Sequence, residues 1–132
     1  MNLVFQATRE GDLKRLNDLF CGKGADPREV CLSLPDPDGE KLIHISSQGG
    51  HLDIVKYLVR HGVEIEDKDR RGNSPLHHAA YGGHLDVVEY LVGQGALVEK
   101  IDWLGKTPVQ IASSGGHQDV VEFLLSKGAK PA

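Results

Sequence analysis

Residues 72–95 read GNSPLHHAAYGGHLDVVEYLVGQG, and a close copy lies on either side of them. The tripeptide Gly82-Gly83-His84 recurs as Gly49-Gly50-His51 and as Gly115-Gly116-His117, a constant step of 33 residues. Gly39, Gly72 and Gly105 open the three copies at the same interval. A fixed period of this length marks a stack of repeated units. Within the copy, Ser74 suits a helix N-cap and Pro75 a first helical position, where proline forfeits no hydrogen bond. The helix so begun is expected to run to about Tyr81, where Gly82-Gly83 breaks it and reverses the chain. A second helix then spans Leu85 to about Gly93, with Val87, Val88, Leu91 and Val92 facing inward and Asp86 and Glu89 outward.

The residues Ser74-Pro75-Leu76-His77-His78-Ala79 and Thr107-Pro108-Val109-Gln110-Ile111-Ala112 resemble the Thr-Pro-Leu-His-x-Ala signature of ankyrin repeats. The runs from Gly83 to Val92 and Gly95-Ala96 fit the rest of that pattern, and the resemblance covers nearly the whole chain. It implies an all-α ankyrin-repeat solenoid of stacked helix-turn-helix units with projecting β-hairpin-like loops. Four repeats are expected: 1–35 as an N-terminal capping repeat with an inserted loop, then 36–68, 69–101 and 102–132. One such unit cannot bury its own apolar faces; stacking four of them, roughly 10 Å apart, makes a continuous core.

Composition agrees with an ordinary folded chain, 39% hydrophobic and 26% charged over 132 residues. With 19 acids against 15 bases the formal charge is −4, so no positive excess attracts nucleic acid or anionic lipid. No apolar run approaches the ~18 residues of a membrane span, and the N-terminus lacks a secretory pattern. Cys21 and Cys31 are too few for a disulfide scaffold or a zinc site. Reduced thiols in the cytoplasm or nucleus are the expectation.

Along the chain, 1–23 reads as a worn first repeat. Leu13, Leu16, Leu19 and Phe20 carry helical spacing, and polar residues occupy the outer face that no neighbour covers. Gly11 corresponds to Gly50, 39 residues on, so six residues are inserted within 24–38. That insert is either a plain loop or part of a binding surface. Repeat two is the poorest copy. It has Lys41-Leu42 in place of a Ser/Thr-Pro start, and Ser46-Ser47 in place of Ala79-Ala80. Its inner helix is expected to fray first unless the insert covers it. Repeat four has Thr107 and Gln110 as a capping box, with Val120, Val121, Leu124 and Leu125 inward. After it, Gln110, Ser113, Ser114, Gln118 and Asp119 either form the solvated end or mark a cut from a longer array. Met1 and the adequate first cap argue against sequence missing upstream.

No chemistry is written in the chain. Neither a nucleophile elbow, nor a zinc-protease helix, nor a glycine-rich phosphate loop is present, so no catalytic residue and no cofactor are expected. The repeat accounts for five of seven histidines: His44 and His77 at the signature position, where the resemblance implies a ring that bonds loops, and His51, His84 and His117 opening second helices. Equivalent residues one repeat apart lie too far from each other to share a zinc ion. Only His61 and His78 are left over. The acids at Asp36, Asp38, Glu40, Glu64, Glu66, Asp67 and Asp69 read as a solvated face. Tyr57, Tyr90 and Phe123, one period apart, read as packing between repeats.

The resemblance places partner contacts at finger tips and at the ends of inner helices, with 66–72 and 99–105 as two of the tips. Those positions are Arg70, Arg71, Asn73 and Tyr81 in repeat three, and Trp103, Leu104, Lys106 and Ser114 in repeat four. In repeat two they are Pro37, Asp38, Glu40 and Gln48. Trp103-Leu104 at a loop tip either anchors a partner, as Trp, Tyr and Arg often do, or folds onto the Arg70–Arg71 finger as a cation–π stack. The two need not exclude each other. The expected function is binding another protein on the concave surface, as adaptor or inhibitor, by a monomer without nucleic-acid or membrane partners. Two rivals are a regulatory or targeting segment of a larger protein and an engineered binder on an ankyrin scaffold. The irregular second repeat argues against the latter.

Overall fold

A computed structural model describes residues 8–12, 14, 41–60 and 62–129. The capping repeat beyond Thr8–Asp12 and Lys14, the 24–38 insert, both cysteines, His61, Pro37, Asp38 and Glu40 lie outside these. The helices bounded within the described residues are α1 (Leu42–Gly49), α2 (Leu52–Arg60), α3 (Pro75–Gly82), α4 (Leu85–Gly93), α5 (Pro108–Ser114) and α6 (Gln118–Ser126). They form three helix pairs, and among the described residues there is no strand. The inner helices α1, α3 and α5 pack on one another in series, and the outer helices α2, α4 and α6 do the same.

Local chemistry sets the helix starts. The Ser74 side chain accepts from the His77 amide, and the His77 ring accepts the Ser74 amide at 3.1 Å, so histidine closes the capping box. Thr107 and Gln110 form the corresponding box, with the Gln110 amide 3.3 Å from Thr107 Oγ1 and the Thr107 amide 3.1 Å from Gln110 Oε1. At Lys41 no side-chain oxygen caps α1, as the sequence leads one to expect. Half a box nevertheless survives, because His44 Nδ1 accepts the Lys41 amide at 3.0 Å.

The Gly-Gly-His triplet is a joint between repeats. Gly50 turns the chain at φ +74°, and a Cβ there would stand 2.5 Å from Nδ1 of His84 in the next repeat. Gly83 offers the same bed to the His117 ring, and Gly11 to the His51 ring. Glycine is required twice over, for the left-handed turn and for the ring above it. His117 then reaches the Tyr81 carbonyl at 3.1 Å, and His51 the Arg9 carbonyl at 3.2 Å. Gly11 therefore plays in the first repeat the part of Gly50 in the second, which supports the alignment across the insert.

The core runs through the stack without a break. Val55, Leu76, Ala79, Ala80, Val87, Val88, Leu91, Val109, Ala112, Val120 and Leu124 are buried in one cluster. Tyr57, Tyr90 and Phe123 are half-buried, with Lys56 Nζ 5.7 Å from the centre of the Tyr90 ring. One inward assignment needs correction. Leu125 is exposed, because among the described residues no further helix pair covers that side of α6, whereas Val92 and Val121 are half-buried against the core.

Candidate functional site

Each finger is built around one aspartate. Asp69 Oδ1 accepts the amides of Arg71 and Asn73, both at 2.9 Å, and the Asp69 amide donates to the Asn73 carbonyl, closing the loop. One period later Asp102 Oδ1 takes the amides of Leu104 and Lys106, again at 2.9 Å. Asp and Asn favour such turns because the side chain imitates a backbone acceptor. The fingers are tied together where the Trp103 amide donates to the Arg71 carbonyl at 3.0 Å.

Histidines fix the fingers to the inner helices. His44 Nε2 donates to the Asp67 carbonyl at 2.8 Å, and His77 Nε2 to the Lys106 carbonyl at 3.0 Å. Both rings are held in one neutral tautomer, since each Nδ1 already accepts an amide. Burial, the largest influence, pushes the His44 pKa down from 6.5 to about 4, and burial lowers His77 as well. His78, the histidine that the repeat left unexplained, bridges Asp69 Oδ2 at 2.8 Å and Gln48 Oε1 at 2.9 Å. Its ring stands 5.0 Å from that of His44. Burial alone would raise the Asp69 carboxyl, but donation from His78 and from the Asn73 and Arg71 amides outweighs it and holds the group well below the usual carboxylate range. Asp69 is therefore not on a solvated face: its side chain is 6% exposed and organises the loop. The signal was available, because Asp69 and Asp102 are one period apart, each three residues before a finger's glycine.

These ties open a groove of about 600 Å³ between the fingers and the inner helices. Gln48, Arg70, Arg71, Asn73, Tyr81, Leu104 and Lys106 all line it, with Asp69, His77, His78, Asp102 and Ile111 beneath and beside them. Of the twelve sequence-derived contact positions, nine fall within the described residues, and seven of those are thus brought together. Trp103 and Ser114 do not line the groove. Ser114 is exposed at the end of α5. The Trp103 ring rests on the neighbouring finger, where a Cβ at Gly72 would lie 2.5 Å from its Cδ1, and yet it is 75% exposed. Of the two readings, the structure shows the ring folded onto the neighbouring finger: it packs on Gly72, while the Trp103 amide bonds the Arg71 carbonyl, and much of the ring still faces solvent. Tyr81 and Leu104 are 65% and 76% exposed. Ile101 on the Leu104 finger and Leu97 just before it are exposed too and went unremarked in the sequence, where both look like ordinary repeat residues.

A profile of ankyrin repeats in three copies matches residues 4–102, and a single ankyrin repeat matches 104–132. Among curated relatives, human protein phosphatase 1 regulatory subunit 27 is 35% identical over 73 residues, which is 55% of this chain and 44% of that protein. The NF-kappa-B inhibitor cactus of Drosophila melanogaster is 36% identical over 45 residues, 33% of this chain and 9% of cactus. Mouse protein fem-1 homolog A-A is 38% identical over 64 residues, 48% of this chain and 10% of its own length. The chain thus spans less than half of each of these relatives. Helix pairs at a 33-residue step, histidine-tied fingers and a profile match along nearly the whole length lead to one conclusion: this chain belongs to the ankyrin-repeat family, whose repeats serve protein–protein interaction.

Proposed function

We propose that this chain is a binding module that holds a partner protein in the groove and acts as an adaptor or inhibitor without chemistry of its own. The observation that carries the reading is the groove itself. Seven side chains that the repeat does not dictate converge there, Gln48 and Tyr81 from inner helices and the other five from loops already fixed by Asp69, Asp102, His44 and His77. A site so preorganised loses little conformational entropy when a partner docks. Tyr81 and Leu104 are the apolar anchors; Arg70, Arg71, Asn73, Gln48 and Lys106 supply polar contacts. Trp103 extends the surface at the finger tip, and Ser114 stands at its margin. Two relatives carry names that describe regulation of another protein, an NF-kappa-B inhibitor and a phosphatase regulatory subunit, which favours the adaptor or inhibitor role. With two cysteines spaced for neither disulfide scaffold nor metal, we place the module in the cytoplasm or nucleus.

A second reading, a regulatory segment within a larger protein, draws support from cactus and fem-1 homolog A-A, where the matching stretch is about a tenth of the protein. Affinity capture with three baits tests the first: the intact chain, a Tyr81→Ala/Leu104→Ser variant and a Trp103→Ala variant. A partner held by the intact chain and lost with Tyr81 and Leu104 is the expected result. Partners retained equally by all three baits would move the site to the outer helices and defeat the proposal.

A further inference from the structure

The charge around the groove runs against the charge of the molecule. The chain has 19 acids against 15 bases, yet the exposed charged side chains that line the groove are Arg70, Arg71 and Lys106. Its two acids are turned inward and spent on finger amides and on His78, so neither offers a free carboxylate to solvent. Two bases nearby are neutralised: Lys41 pairs with Asp67 at 2.9 Å, and Lys100 lies 3.9 Å from Glu66. Arg71 and Lys106 have no ion pair among the described residues. They stand on adjacent fingers, beside the exposed Tyr81 ring and Leu104.

We propose that the groove's occupant is an acidic segment of a partner protein, whose carboxylates meet Arg71 and Lys106 while an apolar side chain lies against Tyr81 and Leu104. The inference rests on the reading of the groove as a protein-binding site and adds what kind of protein surface fits it. A guanidinium presents paired donors matched to a carboxylate, and complementary charge speeds encounter and excludes wrong partners. A nucleic acid fits less well. Its affinity comes from many phosphates neutralised along a strand, and a strand leaving this groove would meet an acidic molecule. A short carboxylate-bearing segment needs only the local cations, because over ~8 Å at physiological salt the remaining charge is screened.

The test is selection from a displayed library of random peptides on the intact chain, with a Tyr81→Ser/Leu104→Ser variant as the subtracting surface. Enriched peptides are then titrated by fluorescence anisotropy at low and high salt. We expect groove-dependent peptides rich in Asp and Glu with at least one large apolar residue. Their affinity should fall on the order of tenfold in an Arg71→Glu/Lys106→Glu variant and weaken with salt. Groove-dependent peptides that are neutral or basic would overturn the charge assignment and leave the binding groove standing. No groove-dependent peptide at all would overturn both. Oligothymidylate bound as tightly as the acidic peptides would overturn the proposal in favour of an unselective anion site.

Discussion

Replacing Ser47 with alanine should make this protein more stable. Ser47 is 0% exposed, and its hydroxyl has no hydrogen-bond partner among the described residues. The reason lies one residue back. A helical serine usually turns its hydroxyl to the carbonyl four residues earlier, here that of Ile43. That carbonyl already takes the Ser47 amide within α1, and Ser46 Oγ donates to it at 3.2 Å. Its two lone pairs are filled, so the second hydroxyl is stranded. An unsatisfied buried hydroxyl costs about 1–3 kcal/mol, and alanine adds a few tenths in helix propensity. Little packing is lost, since Ala80 fills the equivalent place in the next repeat and is equally buried. The net gain should be about 1–2 kcal/mol. With a urea slope of ~2 kcal/mol/M, the midpoint rises by ~0.5–1 M at constant slope. Ser46→Ala, which gives up one satisfied bond, should be neutral within about 0.5 kcal/mol. It frees the Ile43 carbonyl for Ser47, so the gain from Ser47→Ala should shrink in that background. An unchanged or lowered midpoint for Ser47→Ala would refute the reasoning and mean that the hydroxyl is engaged.

Three further expectations follow from the joints and the finger ties. Gly50→Ala and Gly83→Ala must bear both left-handed strain of about 1–2 kcal/mol and a collision with a histidine ring. Gly116→Ala at φ +75° meets nothing within 4 Å and should lose only the strain, so chemical denaturation should show a smaller drop there. On acidification, the unfolded chain takes up the His44 proton near pH 6.5 while the folded chain resists until about 4. The stabilisation is therefore complete above 6.5, declines between 6.5 and about 4, and amounts to roughly 3 kcal/mol. His77 acts in the same direction, and Asp69 adds a loss below the usual carboxylate range. Unfolding midpoints against pH, with His44→Gln flattening the slope, check the sign. Asp69→Ala orphans the part-buried Asn73 amide and His78, besides the exposed Arg71 amide, and should cost about 2 kcal/mol, whereas Asp69→Asn keeps an acceptor and should cost less; thermal unfolding distinguishes them.

How much of this was legible in the sequence depends on how local the cause is. The starts and ends of α3, α4 and α5 could be read because Ser74-Pro75, Gly82-Gly83 and Thr107 with Gln110 act within one turn of themselves. The role of Gly-Gly-His showed as a period, but not its reason: Gly50 and Gly83 are each shaped by a ring 34 residues away, those of His84 and His117. Asp69 looked like one more acid among basic neighbours. Its burial comes from His78 on the inner helix and from the curl of its own loop, neither of which composition reveals. Leu125 carried the right spacing for an inward residue, and spacing cannot say whether a neighbour is there to cover it.

The same distinction governs the site. Gln48, Tyr81 and Ser114 are one position in three successive repeats, and the period marks it as variable without saying which copy matters. Enclosure decides. A side chain at the end of an inner helix lines a groove only where fingers stand over it, and the described fingers are those carrying Arg71 and Leu104. Gln48 and Tyr81 sit within their span and line the groove; Ser114 is one repeat further on, with no described finger beyond it. Trp103 is left out for the opposite reason. Its ring is drawn off the groove onto Gly72, where the absence of a Cβ admits it, and Leu104 is the residue that turns in. The pair that looked like a single apolar anchor is divided by one glycine on the neighbouring finger. Gly72→Ala should therefore displace Trp103 and change its fluorescence while leaving the groove floor in place, since Asp69, His77 and His78 do not depend on that ring.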